Sequence, residues 1–278
     1  MTGNPRIAPT AHVTAQTWRR AGFPGAEAFD TWTGRVGYDA LRLGLMPMRW
    51  LGQPAGHFLA FLRLRHHWIG QRIRQQSPDL LFDVGAGLSA RGLTLARAFP
   101  AMRVVEADLP GMVVAKRRRL AGLDLPANYR LVPADLLADD FGDSLRTAAG
   151  HARGTAMAIT EGVTDYLGFA DKPRAWANLH VLLSGFGGGT YLTDINPRAR
   201  ARSLGLAVPL FLRMLGQLTG GDFGDRLFEH EQDAAAALEQ AGFTDAQVVD
   251  VAALDNGGLP VPETGRFFEL LEARATNG

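Results

Sequence analysis

The feature that most restricts the fold of this chain is an alternation, from Leu80 onward, between short apolar runs and stretches with helical periodicity. Strands that alternate with helices form parallel sheets that are covered by helices on both faces. We therefore predict an α/β fold built on a mostly parallel, doubly wound sheet. The predicted strands are 80–84, 103–106, 129–132, 156–160 and 189–193, and the helices between them are 89–99, 111–121, 136–149 and 172–183.

Two segments interrupt this alternation. Residues 1–77 lack strand patterns, and positions such as Phe58, Phe61 and Ile69 have the spacing of a helix, so we predict a helical N-terminal extension. An apolar stretch within 197–228 predicts a helical insert after the fifth strand. We expect both segments to cover the ends of the strands as a lid.

The rest of the chain, 78–278, is expected to form one sheet domain that carries the insert. A helix at 230–240 and a strand at 247–251 are predicted after the insert. Residues 255–278 show no pattern that assigns them to helix or strand.

Charge and cysteine content exclude several functional classes. The 278 residues carry 29 Lys+Arg and 28 Asp+Glu, a net charge of +1, whereas a nucleic-acid partner requires a clear basic excess. The absence of cysteine excludes disulfides and a thiol nucleophile, and the seven histidines show no metal-ligand spacing, so we expect no metal. No apolar run reaches the roughly 20 residues of a membrane span, and residues 1–20 lack a secretory pattern. We therefore expect a cytoplasmic monomer or homodimer with neither a nucleic-acid nor a membrane partner.

Two basic segments need a functional or a structural interpretation. Lys116-Arg-Arg-Arg119 lies on the helix after the second strand and is predicted to be a solvated face. His66 and His67 are adjacent on a predicted helix and therefore point in different directions, so we expect at least one of them to be structural.

A glycine-rich loop, Gly85-Ala86-Gly87, lies between the first strand and its helix. Glycines let the backbone approach a ligand, and the following helix presents free N–H groups. Two cofactors fit such a loop. Gly85, Gly87 and Ala90 match the dinucleotide pattern, with Glu106 about 20 residues further on where a ribose-binding acid belongs.

Asp83 favours S-adenosylmethionine instead. Its carboxylate is predicted to point into the loop, where it would repel a pyrophosphate and attract the ammonium group of a methionine moiety. Asp135 and Leu136 follow the third strand, where a carboxylate and a backbone amide suit adenine.

Four segments in series carry a family resemblance: Asp83-Val-Gly-Ala-Gly-Leu-Ser-Ala-Arg-Gly92, Val105-Glu-Ala-Asp-Leu-Pro-Gly-Met112, Ala134-Asp-Leu136 and Thr160-Glu-Gly-Val-Thr-Asp-Tyr-Leu167. Together they resemble the leucine carboxyl methyltransferase family of class I methyltransferases, especially its bacterial branch of polyketide carboxyl O-methyltransferases. Arg65-His-His-Trp-Ile69 is similar to a segment of that branch before the sheet. The resemblance implies a Rossmann-like methyltransferase sheet, a role in secondary metabolism and S-adenosylmethionine as cofactor.

The resemblance also implies roles for individual residues. Arg65, or Arg63 in a shifted register, would pair with the cofactor carboxylate, and Asp108 or Glu106 would hold the ribose. Asp135 and Leu136 would hold adenine, and Glu161 would bind the amino group or close the site. The cofactor-binding set is Arg65, Asp83, Gly85, Ala86, Gly87, Glu106, Asp108, Leu109, Asp135, Leu136, Glu161 and Gly162.

Methyl transfer from a sulfonium needs an aligned nucleophile in a water-poor site. A carboxylate acceptor is ionised at neutral pH and needs only an orienting arginine, whereas a hydroxyl acceptor benefits from a base. The sequence shows no obligatory base, which favours a carboxylate on a small hydrophobic molecule. Tyr166, after the fourth strand, and Arg198, at the start of the insert, are the candidate catalytic residues.

Two other functions remain open from the sequence. The glycine loop is compatible with an NAD-dependent oxidoreductase. It is also compatible with a protein that binds S-adenosylmethionine without transferring its methyl group.

Overall fold

A computed structural model describes residues 8–205, 208, 226–263, 266 and 268–276. The strands are β1 Leu80–Val84, β2 Arg103–Asp108, β3 Tyr129–Pro133, β4 Ala156–Thr160, β5 Gly189–Ile195, β6 Thr244–Val248 and β7 Glu269–Ala275. The described helices are α1 Ala8–Arg20, α2 Trp32–Trp50, α3 Phe58–Gln76, α4 Arg91–Ala98, α5 Pro110–Leu120, α6 Phe141–Ala149, α7 Lys172–Ser184, α8 Arg198–Ser203 and α9 Glu231–Gln240. Short 3₁₀ turns lie at Ala26–Phe29, Pro54–His57, Thr164–Tyr166 and Val251–Ala253.

The strands form a single sheet in the order β3-β2-β1-β4-β5-β7-β6. The first five strands are parallel, and β7 pairs antiparallel with both β5 and β6. The strand order reverses between β1 and β4, and ligands of open α/β sheets bind outside the carboxyl ends of the strands at such a point. The predicted doubly wound, mostly parallel sheet is therefore confirmed, and its topology locates the candidate site.

The C-terminal part of the sheet differs from the prediction. The unassigned stretch contains β7, which lies between β5 and β6, and the predicted strand 247–251 begins earlier, as β6. β7 reads Glu-Leu-Leu-Glu-Ala-Arg-Ala, a composition that favours helix when it is considered locally. Pairing with two neighbouring strands overrides that preference, so this element is set by tertiary contacts.

The N-terminal extension and the sheet share one hydrophobic core. Trp18, Phe29 and Ile69 from the extension belong to the same buried cluster as Leu81 and Val104 from the sheet. The opposite face of the sheet packs against α6, α7 and α9 in a second cluster. The described residues of the predicted extension at 1–77 therefore contribute, together with α4, to one of the two layers that cover the sheet.

The insert is described only at its edges. α8 follows β5 as predicted, and Val208 is buried. Residues 206–207 and 209–225, which include most of the predicted apolar helix, lie outside the described residues. Among the described helices, none is both long enough and apolar enough to cross a bilayer.

Candidate active site

The glycine loop leaves β1 in a conformation that requires glycine. Gly85 and Gly87 have φ angles of +73° and +51°, a left-handed region that disfavours residues with a Cβ. A Cβ on Gly85 would also collide with the side chain of Val163. The Gly85 N–H donates to the carbonyl of Ala107 at 2.8 Å, which ties the loop to β2. Ala86 is buried within this turn, as its place in the motif predicts.

Asp108 ends β2 directly beside this loop. Its carboxylate accepts hydrogen bonds from the Gly87 N–H and the Leu109 N–H, both at 2.7 Å. Burial raises the pKa of Asp108 although both N–H donors lower it. Asp108 is thus a half-buried acid held at the carboxyl edge of the sheet, in the position from which an acid can reach a ribose.

Glu106, the alternative ribose ligand, lies deeper in the protein. It is fully buried, with Lys116 Nζ 2.6 Å from Oε2 and the Tyr129 hydroxyl donating to the same oxygen at 2.5 Å. A Cβ on Gly92 of α4 would collide with Glu106, so the helix closes over it. The carboxylate of Glu106 is thus used inside the core, which favours Asp108 as the ribose ligand, and the ribose-binding role stays a prediction.

The prediction of a solvated Lys116 is wrong. Its side chain is 1% exposed, and its ammonium group lies 5.4 Å from the centre of the Phe29 ring as well as against Glu106. Burial raises the pKa of Glu106, whereas Lys116 lowers it. This ion pair therefore joins α5 to β2 inside the protein.

The carboxyl ends of β1, β4 and β5 bring together a buried charged cluster. Arg91 donates from Nη1 to Glu161 at 2.6 Å and from Nη2 to Asp83 at 3.0 Å. Arg65 donates from Nη1 to Asp194 at 2.8 Å and from Nε to Glu161 at 3.2 Å. The charged cluster thus comprises Arg65, Arg91, Asp83, Glu161 and Asp194.

Glu161 is the centre of this cluster. Burial would raise its pKa, but His66, Arg91 and Arg65 together hold the pKa of Glu161 far below its usual range. His66 Nδ1 lies 2.8 Å from the carboxylate, and its ring stacks on Trp18 with the centroids 4.3 Å apart. Burial lowers the pKa of His66, which favours the neutral imidazole.

The cluster contains more carboxyl groups than guanidinium groups. Two guanidinium groups face three carboxylates in a region that is almost completely buried. Oδ1 of Asp83 is buried and has no hydrogen-bond partner among the described residues. Buried carboxylates need compensation, so the arrangement suits a ligand that brings positive charge.

Several predicted residues meet here, and two members of the cluster were not predicted. Arg65 and Glu161 are in direct contact, whereas Arg63 donates to the hydroxyl of Tyr38 at 2.7 Å, outside the cluster. Gly162, with φ of +64°, donates its N–H to Asp194 at 2.6 Å. Arg91 and Asp194 were missed. The position of Arg91 at the start of the helix after the loop was the available indication, since residues there can reach back to β1.

The turn after β3 contains the predicted adenine-binding pair. Oδ1 of Asp135 accepts from the Leu137 N–H at 3.0 Å, and the carbonyl of Leu136 accepts from the side chain of Asn178 at 2.8 Å. These bonds order the turn at the same edge of the sheet as the glycine loop. Adenine binding by Asp135 and Leu136 stays a prediction.

The turn at Thr164–Tyr166 contains the predicted Tyr166. Its hydroxyl donates to Thr10 of α1 at 3.4 Å, and burial raises its pKa, so it does not resemble an activated base. Arg226 donates to the backbone carbonyl of Tyr166 at 3.1 Å. Arg198 is half-buried at the first turn of α8, where its N–H donates to the carbonyl of Phe228 at 2.8 Å.

Asp165, beside Tyr166, is a further titratable group of the same turn. It accepts a short hydrogen bond from Asn196, and its other oxygen is buried without a hydrogen-bond partner among the described residues. Burial and the neighbouring Asp194 raise the pKa of Asp165 to about 7. Lys172 donates to the carbonyls of Thr164 and Leu167 at 2.7 and 2.6 Å, and these two hydrogen bonds stabilise the turn.

The raised pKa of Asp165 predicts a specific pH dependence of stability. Because the folded protein holds a proton that the unfolded chain releases, Asp165 makes the free energy of unfolding fall as pH rises from about 4 to about 7. In the variant Asp165→Asn the side chain at this position does not titrate, so its contribution to the pH dependence of the free energy of unfolding should disappear. We expect the variant to gain stability relative to the parent between about pH 5 and about pH 8, measured by urea unfolding. A difference that is the same at both pH values would contradict the assignment.

Comparisons with known proteins agree with this fold. A family model described as leucine carboxyl methyltransferase matches residues 52–176, which confirms the resemblance over the segment from the end of the extension into α7. No curated protein matches the chain by sequence.

Solved structures with the same fold include methyltransferases. A putative methyltransferase from Thermobifida fusca has a TM-score of 0.62 and 15% identity, covering 96% of this chain and 94% of that one. PigF with SAH has a TM-score of 0.53 and 12% identity, with the same two coverages of 96% and 94%. Human N-acetylserotonin methyltransferase, in complex with SAM, has a TM-score of 0.51 and 13% identity, covering 97% of this chain and 72% of that one. These likenesses confirm the predicted class I methyltransferase fold.

Proposed function

We propose that this chain, which matches the leucine carboxyl methyltransferase family over residues 52–176, is an S-adenosylmethionine-dependent O-methyltransferase. The observation that carries the proposal is the buried charged cluster with its excess of one carboxylate over its arginines. S-adenosylmethionine has a sulfonium, an ammonium and a carboxylate, a net charge of +1, which complements that excess. Its chemistry, when bound, is the supply of an electrophilic methyl group.

The residues around the cluster suit the parts of this cofactor. Arg65 is the guanidinium that can take over the methionine carboxylate, and Glu161 and Asp83 are the acids for its ammonium group. Asp108 would hold the ribose hydroxyls, and Asp135 with Leu136 would hold the adenine. Metal chemistry is not required for this assignment.

The same charges disfavour a dinucleotide. An NAD pyrophosphate at the glycine loop would place two further negative charges near Asp83 and Glu161, at a Coulomb cost that rises with burial. The acid at the dinucleotide position, Glu106, is already bound by Lys116 and Tyr129. An oxidoreductase is therefore the weaker hypothesis.

A carboxylate on a small hydrophobic molecule, such as a natural-product acid, is our first candidate acceptor. Arg226 donates to a carbonyl of the turn that follows β4, and Arg198 begins α8 two residues after Asn196, which bonds Asp165 of that turn. Their guanidinium groups could orient a carboxylate there. The family match supports carboxyl methylation. Such an acceptor needs no base, which agrees with the raised pKa of Tyr166.

A hydroxyl acceptor is the second candidate, and Asp165 is the observation that favours it. A carboxyl group with a pKa of about 7 lies close to the value that suits a general base at neutral pH. In this alternative Asp165 takes the hydroxyl proton, and Asn196 holds the carboxylate in place.

Calorimetric titration with S-adenosylmethionine, S-adenosylhomocysteine and NADH tests the cofactor. We expect both sulfur compounds to bind and NADH not to bind. Glu161→Gln and Asp135→Ala should each weaken binding of S-adenosylhomocysteine by more than about tenfold, or about 1.4 kcal/mol, because each removes a proposed ligand. Asp143→Ala, an exposed acid on α6, is the matched control and should not change the affinity. Unchanged affinity in both site variants would contradict the proposed placement.

The chemistry of the product distinguishes the two acceptor classes. Purified protein is incubated with S-adenosylmethionine labelled in the methyl group and a panel of aromatic acids and phenols. A methyl ester releases labelled methanol in alkali, whereas a methyl ether keeps its label. Ester formation that survives Asp165→Asn supports a carboxylate acceptor, and ether formation that the variant abolishes supports a hydroxyl acceptor.

A further inference from the structure

The outer face of α2 carries an exposed apolar ridge that the proposed reaction does not use. The ridge consists of Trp32, Val36, Leu43 and Trp50, which are 76%, 48%, 63% and 78% exposed. Their spacings of four, seven and seven residues place them on one side of a helix with 3.6 residues per turn. Leu51, which follows the helix, is 74% exposed. Isolated exposed hydrophobic residues are common, but a contiguous set that includes two tryptophans indicates an interaction surface.

A row of arginines flanks the ridge. Arg35, Arg42 and Arg49 recur at seven-residue intervals and are exposed along one side of it. Asp39 is the only acidic residue of α2, and its Oδ1 lies 3.7 Å from Nη2 of Arg20 in α1. Arg35 forms an ion pair with Asp30 through two hydrogen bonds of 2.9 Å. Arg42 and Arg49 therefore supply the positive charge of the row that has no acidic partner among the described residues.

We propose that the α2 ridge docks on an anionic lipid surface, with the tryptophans and leucines in the interface and the arginines against lipid phosphates. Helices that lie in a membrane interface have an apolar face with Trp and Leu beside a face rich in Arg or Lys. Tryptophan rings are favoured at the headgroup level, and α2 has one at each end of its ridge, 18 residues or about 27 Å apart. This arrangement differs from a membrane span, and the proposal departs from the expectation from sequence that the chain has no membrane partner.

Charge and area both favour lipid over a second copy of the chain. In a symmetric antiparallel pair the arginine row would face its own copy, and like charges would repel. A stable protein interface covers about 800 Å² on each partner. The two tryptophans of the ridge contribute at most about 500 Å² together, and Val36 and Leu43 are smaller, so the ridge alone falls short of that area. A fluid lipid surface accepts a ridge without a complementary groove.

The position of α2 connects this surface with the candidate active site. α2 packs on α1, and the N–H of Gly34 and the side chain of His12 both reach Thr31 at the junction. In turn, α1 carries Thr10, which bonds Tyr166 beside the site. Only α1 would thus lie between the docked face of α2 and the candidate active site.

Co-sedimentation of the full chain with vesicles tests the proposal. We expect binding to vesicles of phosphatidylcholine with phosphatidylglycerol, and weaker binding to phosphatidylcholine alone. Trp32→Ser with Trp50→Ser should reduce binding by about tenfold or more through loss of apolar area. Arg42→Ala with Arg49→Ala should reduce binding to the anionic vesicles several-fold and leave binding to neutral vesicles unchanged.

The controls are an apolar and a basic residue exposed elsewhere. Val181→Ser on α7 and Arg153→Ala should bind like the parent. Far-ultraviolet circular dichroism and titration with S-adenosylhomocysteine should show that every variant keeps its fold and site. The proposal fails if the parent does not sediment with anionic vesicles or if the tryptophan variant sediments equally well. It also fails if light scattering shows a dimer that only the tryptophan variant dissociates, because the ridge would then bind a second copy.

Discussion

Arg91→Ala should lower the free energy of unfolding by about 3–5 kcal/mol, the usual cost of removing one partner from a buried ion pair. Arg91 is the only described side chain that donates to Asp83, which is fully buried. The substitution leaves that carboxylate without a counter-charge or a donor. Glu161 retains Arg65 and His66, so most of the loss should come from Asp83.

Urea unfolding of the single variant and of Asp83→Asn/Arg91→Ala separates this cause from lost packing. The double variant removes the stranded charge and should recover a substantial part of the lost stability. Arg97→Ala, on the exposed side of the same helix, is the control and should change stability by no more than about 0.5 kcal/mol. A loss below about 1 kcal/mol for Arg91→Ala would show that the cluster is not held as described.

Lys116→Met should have an effect of similar size, about 3–5 kcal/mol, because it leaves Glu106 buried beside an apolar side chain. The variant should respond to pH in a characteristic way. Without Lys116 the pKa of Glu106 rises further above its ordinary value, so the folded protein binds a proton that the unfolded chain releases. The destabilisation should therefore be smaller near about pH 5 and larger near about pH 8.

Glu106→Gln/Lys116→Met is the corresponding double variant, and Arg118→Met on the exposed side of α5 is the control. The double variant should be far more stable than Lys116→Met and should lack the additional pH dependence of that variant, since neither charge of the pair remains. Guanidinium unfolding at both pH values measures the difference. A pH-independent loss in Lys116→Met would show that missing packing, rather than a stranded carboxylate, causes the effect.

The strands of the parallel part of the sheet were predictable because each is a short apolar run beside helical sequence. β4 begins and ends where the pattern predicts, and β1 does as well. β7 was not predictable in this way, because Glu, Ala and Leu favour helix locally and only pairing with β5 and β6 makes the segment a strand. The local sequence was therefore sufficient for strands that are contiguous apolar runs, and insufficient for a strand that depends on its pairing partners.

In the candidate site, too, the sequence indicates which residues are candidates, and tertiary contacts decide the role of each one. Glu106 and Asp108 lie two residues apart on one strand, so their side chains share a face of the sheet. Sequence position alone cannot separate their roles. The approach of Lys116 and Tyr129 neutralises Glu106 inside the core, whereas the loop N–H groups hold Asp108 at the edge.

By itself the sequence determined an α/β sheet, a glycine loop between β1 and α4, and a series of motifs typical of one methyltransferase family. These features depend on hydrophobic period and on glycine geometry, which act over a few neighbouring residues. Only the tertiary structure decided that Arg91 and Asp194 join Arg65 and Glu161, that Lys116 is buried, and that the apolar side of α2 faces outward. Each of these depends on which distant charges and surfaces meet, because the energy of a buried charge or of an apolar side chain is set by its surroundings in space.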